Sequence, residues 1–285
     1  MCEGISFGIV TQLGCDYRDN PGVVHMLWAI SDMFEDAVER YPNLEIEIIV
    51  CGGPYIPRKL IESLNEKIKI IHIPFDETIK TGWITKKKNI IAQKANHENL
   101  VIVHDYYLFE DLWLKGFLRY NELSPNWEIL SNTILTYEGT RHSDWLVNQK
   151  YMDELISENP GIAEKLMRVA PGENGPRWVC GLPYDCDKLS HIQYISGGQI
   201  IAKKKVLLDC PLDENLVWGQ AEDLAWSEYV IKKGYGFKFN PFSVSLLQKP
   251  GKWRLFEMPH DVYEILLKKY KKENTNKDTI IWQTN

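Results

Sequence analysis

The chain lacks the spacings that announce a metal or disulfide framework. Its six cysteines, Cys2, Cys15, Cys51, Cys180, Cys186 and Cys210, form no C-x-x-C pair, and its seven histidines form no H-E-x-x-H. Scattered cysteines of this kind read as reduced thiols of a cytoplasmic protein. Long apolar runs are missing too: no stretch approaches the roughly 18 residues that a membrane span needs. The start, Met1-Cys2-Glu3-Gly4-Ile5-Ser6, has no basic residue and no apolar core, so it does not read as a secretory signal. There is no basic excess. Lys and Arg number 33 against 39 Asp and Glu, a net charge of −6, which argues against a duplex nucleic-acid binder. Internal repeats, low-complexity segments and a clean interdomain linker are also absent.

What remains is a globular composition of 285 residues, 44% hydrophobic and 25% charged, with ten Trp and fourteen Tyr. The first third alternates strand and helix patterns. Buried strands are expected over Ile5–Gln12, Glu45–Cys51, Ile68–Ile73 and the wholly apolar Leu100–Val103. Helices are expected over Val23–Arg40, from Pro57 to Asn65, and over Thr85–Ala95. That alternation predicts a mostly parallel sheet, whose ligands sit at the carboxyl ends of the strands. The middle is less regular, with a helix over Asp111–Tyr120, a strand over Trp127–Thr136 and one or two helices between Asp144 and Val169. Strand patterns follow at Tyr194–Ala202 and, as a pair, at Phe237–Leu247. Helices follow at Ala221–Lys233 and Asp261–Tyr270, and a polar tail begins at Lys271.

Four segments carry possible chemistry. Asp105, in His104-Asp105-Tyr106-Tyr107, follows an apolar strand, where it can meet a nucleotide or metal or merely cap a following helix. Gly197 and Gly198 form a pair within a strand pattern, either a bend or a place where something approaches the backbone. Glu222 and Asp223 open a helix behind Trp218-Gly219, either as simple caps at the positive dipole end or as an acid pair beside an aromatic sugar platform. Lys249, Lys252 and Arg254 sit in a Gly/Pro loop, suited to a diphosphate or to solvent. Lys86-Lys87-Lys88 reads as a solvated helix face from which one lysine can turn inward. Trp28 and Trp113 sit in helical apolar patterns and read as core. Trp83, Trp218 and Trp253 lie beside the candidate site.

The order of these segments resembles the GT-A class of nucleotide-sugar glycosyltransferases. It is carried by Ile5–Gln12, Gly82–Ala95 with Lys88-Asn89, Val101–Tyr107, Tyr194–Ala202 and Pro211–Gly234, where Trp218-Gly219-Gln220-Ala221-Glu222-Asp223 looks like the acceptor-side stretch. The resemblance implies one Rossmann-like α/β domain over 1–270. About 1–110 would be a nucleotide-binding half and about 111–270 an acceptor half, with a mostly parallel central sheet, a smaller antiparallel acceptor-side part and a tail over 271–285. It implies that Thr11, Gln12, Gly53 and Pro54 border the base and ribose, with Lys88 near the nucleotide. Gly197 and Gly198 would border the donor sugar. Asp223 would be the catalytic base, and Glu222 would bind the acceptor or position the sugar, beside Trp218 and Gly219.

The resemblance also implies that Asp105 is the first carboxylate of an Asp-x-Asp motif, but Tyr107 replaces the second. Mn²⁺ or Mg²⁺ would then rest on Asp105, the diphosphate and His260. In the competing arrangement Lys249, Lys252 or Arg254 stabilises the leaving group. UDP is the expected nucleotide, and a glycan, glycolipid or protein hydroxyl the acceptor. Lys268, Lys269, Lys271 and Lys272 either touch an anionic membrane surface or suit the end of a helix. Two other functions fit less of the pattern. A nucleotidyltransferase would want a basic Gly-rich loop where Thr11–Asp16 stands, and a non-catalytic carbohydrate-binding protein would use the aromatics alone.

Overall fold

The computed structural model describes residues 4–11, 21–53, 56, 58–169, 180–184, 187–248 and 256–270. The elements run β1 (Gly4–Val10), α1 (Pro21–Val38), β2 (Glu45–Cys51), α2 (Arg58–Ile61), β3 (Lys69–Ile73), α3 (Ile84–Lys94), β4 (Asn99–His104) and β5 (Tyr107–Phe109). They continue with α4 (Trp113–Leu123), β6 (Ile129–Thr136), β7 (Leu146–Val147), α5 (Gln149–Glu158), α6 (Pro160–Val169) and β8 (Cys180–Gly181). A 3₁₀ turn (Asp187–Ile192) leads to β9 (Gln193–Tyr194), β10 (Gln199–Lys203), α7 (Lys204–Asp209), α8 (Glu222–Lys232), β11 (Phe237–Leu247), β12 (Phe256–Glu257) and α9 (His260–Tyr270).

Eight strands form one sheet in the order β3-β2-β1-β4-β10-β6-β11-β5. β3, β2, β1 and β4 are mutually parallel, with Phe7 opposite both Ile48 and Val101. β10 runs antiparallel to β4 and to β6, β11 is parallel to β6, and β5 is antiparallel to β11. The sheet is therefore mostly parallel, as expected, and it passes without a break from the four N-terminal strands into the later ones. A second sheet, β12-β8-β7-β9, is small, and its β7 pairs antiparallel with both neighbours while β12 pairs parallel with β8.

The central strands are buried on both faces, which explains why they read as unbroken apolar runs. Alternate side chains serve opposite layers. Ile5, Phe7, Ile9, Val101 and Val103 pack with α1 and α4, and Leu100, Ile102, Ile200 and Ala202 pack on the opposite face with α3, α7 and α8. Trp113 is fully buried, stacked on Phe117 and tilted against Phe7 and Phe109. Trp28 corrects its expectation. It is 45% exposed, because the core-facing side of α1 is filled by Val23, Met26, Leu27, Ile30 and Phe34.

Two strand expectations and one helix cap also change. Phe237–Leu247 is one strand, not a hairpin, and absorbs Pro241 in a register shift between Asn240 and Val244. Tyr194–Ala202 divides between β9 in the small sheet and β10 in the large one. Asp105 caps no helix, since β5 follows it.

Candidate functional site

The chain visits β1, β2 and β3 in one direction and then crosses to β4 on the other side of β1. Such a switch point opens a crevice at the carboxyl ends of the two strands. Thr11, just past β1, donates its Oγ1–H to Asp105 Oδ2, just past β4, at 2.8 Å. Asp105 N donates to Val10 O at 3.2 Å. The two residues expected at the nucleotide thus share one hydrogen bond at that crevice. Past the end of β2, Gly52 and Gly53 both take positive φ, 97 and 70. A Cβ on Gly52 would lie 2.3 Å from Thr11 O. Gln12, Pro54, Lys249, Lys252, Trp253 and Arg254 lie outside the described residues.

The lysine run turns inward twice, not once. Lys87 and Lys88 are both buried, and Lys86 alone reaches the surface, where it pairs with Glu214 at 2.8 Å. Lys87 Nζ donates to Thr11 O at 2.5 Å and pairs with buried Glu77. Lys88 Nζ donates to Gly197 O at 2.7 Å and stands 3.9 Å from Glu222 Oε1. Sequence reasoning missed Lys87. The signal lay in the stripe Ile84, Lys88, Ile91, Ala95, whose helical spacing puts Lys88 on the apolar face of α3 with Lys87 at its border.

The acid pair sits across from the glycines. Gly197 and Gly198 occupy the turn between β9 and β10, and Gly197 N donates to Asp223 Oδ2 at 2.9 Å. The other carboxylate oxygen of Asp223 accepts from Leu224 N at 2.8 Å. Space here admits no larger residue. A Cβ on Gly197 would lie 2.9 Å from Glu222 Oε1, and one on Gly198 would lie 2.6 Å from the Tyr107 ring. Ala221 precedes the pair at φ 56, the only positive-φ residue other than glycine among the described residues. That left-handed step turns the chain so that α8 starts at the acid pair, at a cost of about 1–2 kcal/mol for a residue with a Cβ.

Residues 212–218 are strapped to the start of α3. Lys80 Nζ and Trp83 Nε1 each donate to Glu214 O at 2.7 Å, Thr85 Oγ1 to Leu216 O at 2.8 Å, and Asn89 Nδ2 to Leu212 O at 2.9 Å. Trp218 N donates to Gly82 O at 2.9 Å, and Trp218 is 67% exposed.

Trp218, Gly219, Glu222, Asp223, Gly197 and Gly198 line a cavity of about 380 Å³ together with His104, Tyr106 and Tyr194. Burial raises the Glu222 carboxyl above its ordinary value, with Lys88 pulling it down and Asp223 pushing it up. Burial likewise lowers the Lys88 ammonium, against the pull of Glu222 and Asp223. The Tyr106 and Tyr194 phenols are pushed up, chiefly by burial.

Tyr107 is no substitute for a second carboxylate. It is buried against Gly198 and hydrogen-bonded to Ser196, and burial holds its proton on. His260 begins α9 with its side chain 86% exposed and Nε2 3.8 Å from Glu264 Oε1. Among the described residues no three His, Cys, Asp or Glu side chains gather closely enough to hold a metal ion. Asp105 therefore offers a divalent ion one carboxylate, and the rest of the shell would fall to diphosphate oxygens and water. At the C-terminal helix, Lys269 is taken up by Glu154 and Glu158, at 2.9 and 2.6 Å. Among the described residues no helix is long and apolar enough to cross a membrane.

No family model and no curated protein matches the sequence. Among the solved structures that match, S. aureus TarS and its 1–349 form each align over 91% of the chain at 13% identity and a TM-score of 0.45. The chain spans 38% of the first and 63% of the second. The fold itself is defined by the strand order and register given above: a mostly parallel α/β sheet with a switch point between β1 and β4.

Proposed function

We propose that the chain is a nucleotide-sugar-dependent glycosyltransferase that moves a sugar, from a UDP-linked donor first, to a hydroxyl of a glycan, glycolipid or protein acceptor. The observation that carries the reading is the Asp223–Gly197 hydrogen bond. It holds a half-buried carboxylate at the wall of an open cavity beside the switch-point crevice. An acceptor hydroxyl entering that cavity meets a carboxylate oxygen with a free lone pair, and Trp218 offers an exposed ring for an apolar sugar face.

In the proposed inverting displacement, Asp223 takes the proton of the acceptor hydroxyl. The acceptor oxygen forms a bond to the anomeric carbon as the bond from that carbon to the diphosphate oxygen breaks. The electron pair leaves with the nucleoside diphosphate. Thr11, Gly53 and Asp105 border the nucleotide, Gly197 and Gly198 face the donor sugar, and Glu222 positions the sugar or the acceptor. A divalent ion, when bound with the donor, would neutralise the diphosphate, and Asp105 is the residue that would hold it.

The experiment is release of nucleoside diphosphate from a panel of UDP-, GDP- and dTDP-sugars, with the Asp223→Asn variant beside the parent. The parent is expected to release nucleoside diphosphate slowly without acceptor. The variant should lose that turnover while binding UDP as before. Near-normal turnover of Asp223→Asn removes the base, and release of pyrophosphate instead points to a nucleotidyltransferase.

A further inference from the structure

We infer that Lys88 is a positioning residue for the base: its ammonium, lodged between Gly197 O and the Glu222 carboxylate, holds the Gly197–Gly198 peptide and with it the turn in which the Gly197 N–H orients Asp223. This deepens the transferase reading and rests on it. It also reassigns Lys88 from the nucleotide, where the resemblance put it, to the far side of the donor-sugar turn.

The Lys88 side chain has no exposure to solvent. Its ammonium donates to Gly197 O at 2.7 Å and lies 3.9 Å from Glu222 Oε1. The cation is therefore walled off from a phosphate arriving through the crevice. The N–H of Gly197, in the preceding peptide, donates to Asp223 Oδ2 at 2.9 Å. Gly197 is thus held on both sides of its Cα, at its C=O by α3 through Lys88 and at its N–H by α8 through Asp223. Gly197 must be glycine for this grip, because a Cβ would meet Glu222 Oε1 at 2.9 Å and Lys88 Nζ at 3.2 Å.

A buried lysine is expensive unless its charge is matched. Lys86, two residues earlier in the same helix, shows that α3 can send a lysine outward. Retention of an ammonium under the acid pair is accounted for if the charge holds that pair. It links the helix that packs beneath the nucleotide strands to the helix that carries the base. Displacement of a reacting group by about 1 Å is enough to cost on the order of 100-fold in rate.

The test compares the parent, Lys88→Met and the double variant Lys88→Met/Glu222→Gln. The double variant removes the unpaired buried acid, so a loss of fold in the single variant does not block the reading. UDP affinity is measured by calorimetry and kcat and KM by UDP release from the donor that the parent uses best. The expected result is UDP affinity within about twofold of the parent in both variants, donor KM within about twofold in Lys88→Met, and a kcat lower by roughly 100-fold in both.

The acid limb of kcat should also move to higher pH in Lys88→Met, since Glu222 then loses the ammonium that pulls its pKa down. The groups that face this pair are Lys88 from α3, Tyr106 and His104 beyond and at the end of β4, Tyr107 from β5, and Tyr194 from β9. A merely structural lysine would lower the melting temperature without moving that limb. Loss of UDP affinity in step with kcat would return Lys88 to the nucleotide and overturn the inference, as would an unaltered kcat and pH profile. A parent that turns over no donor of the panel overturns the transferase reading and this inference with it.

Discussion

Gly197 and Asp223 lie 26 positions apart and meet through one hydrogen bond, Gly197 N to Asp223 Oδ2 at 2.9 Å. That contact joins the turn between the two sheets to the first turn of α8. It sets the direction of the carboxylate on which the proposed chemistry depends.

Replacement of Gly197 by alanine should therefore hurt both fold and reaction. The added Cβ falls 3.0 Å from Asp223 Cβ and 2.9 Å from Glu222 Oε1, so the acid pair must shift. A destabilisation of about 1–3 kcal/mol is expected from overpacking. Denaturant midpoints read the first effect. Turnover should fall by more than the folded fraction does, and equal losses would mean that the contact is structural only.

Asp105→Asn separates a metal-borne role from a direct one. The lone carboxylate accepts from Thr11 Oγ1, and asparagine keeps that acceptor through its amide oxygen. In Mn²⁺, UDP affinity should fall by roughly tenfold, about 1.4 kcal/mol. In chelator it should hardly change. An equal loss in both conditions would show that Asp105 acts on the nucleotide without an ion.

Trp218→Ala tests the platform. With 67% of the residue exposed, its removal should change stability by no more than about 0.5 kcal/mol. Acceptor KM should rise, while nucleotide affinity stays put. An unchanged KM for every acceptor tried would make the ring a bystander.

Glu47 supplies a pH dependence of stability. Its carboxylate is buried on β2, which alone would raise its pKa, but hydrogen bonds from Asn96 and Ser6 outweigh burial and the net direction is downward. A folded pKa below the unfolded one means stability that is fully present above the ordinary glutamate range. That stability is lost as pH falls through the folded value. Urea midpoints between pH 7 and pH 3 should drop more steeply for the parent than for Glu47→Gln. The variant should be less stable at pH 7 by about 1–3 kcal/mol, because a charged acceptor of several donors is gone.

Much of the N-terminal sheet is legible from sequence because its strands are central and parallel. Val101 and Ile102 are apolar for opposite faces, so the run announces itself. The small sheet was not legible as a unit: β7, β8, β9 and β12 are two residues each, too short to show a period, and they pair across long separations. The split of Tyr194–Ala202 was hidden for a related reason, since Ser196-Gly197-Gly198 reads equally as a bend or a break.

The sequence by itself determined the alternation of strand and helix, the carboxylate after the apolar fourth strand, and the Glu222-Asp223 pair at a helix start. These are local facts, written in period and in dipole-compatible charge. Only the tertiary structure decided which way the lysines of α3 point, that Thr11 and Asp105 share a hydrogen bond, and that Gly197 is held between Lys88 and Asp223. Each of those contacts joins residues far apart in the chain. Their geometry follows from how the sheet and its covering helices pack, and packing is not encoded in any short window of residues.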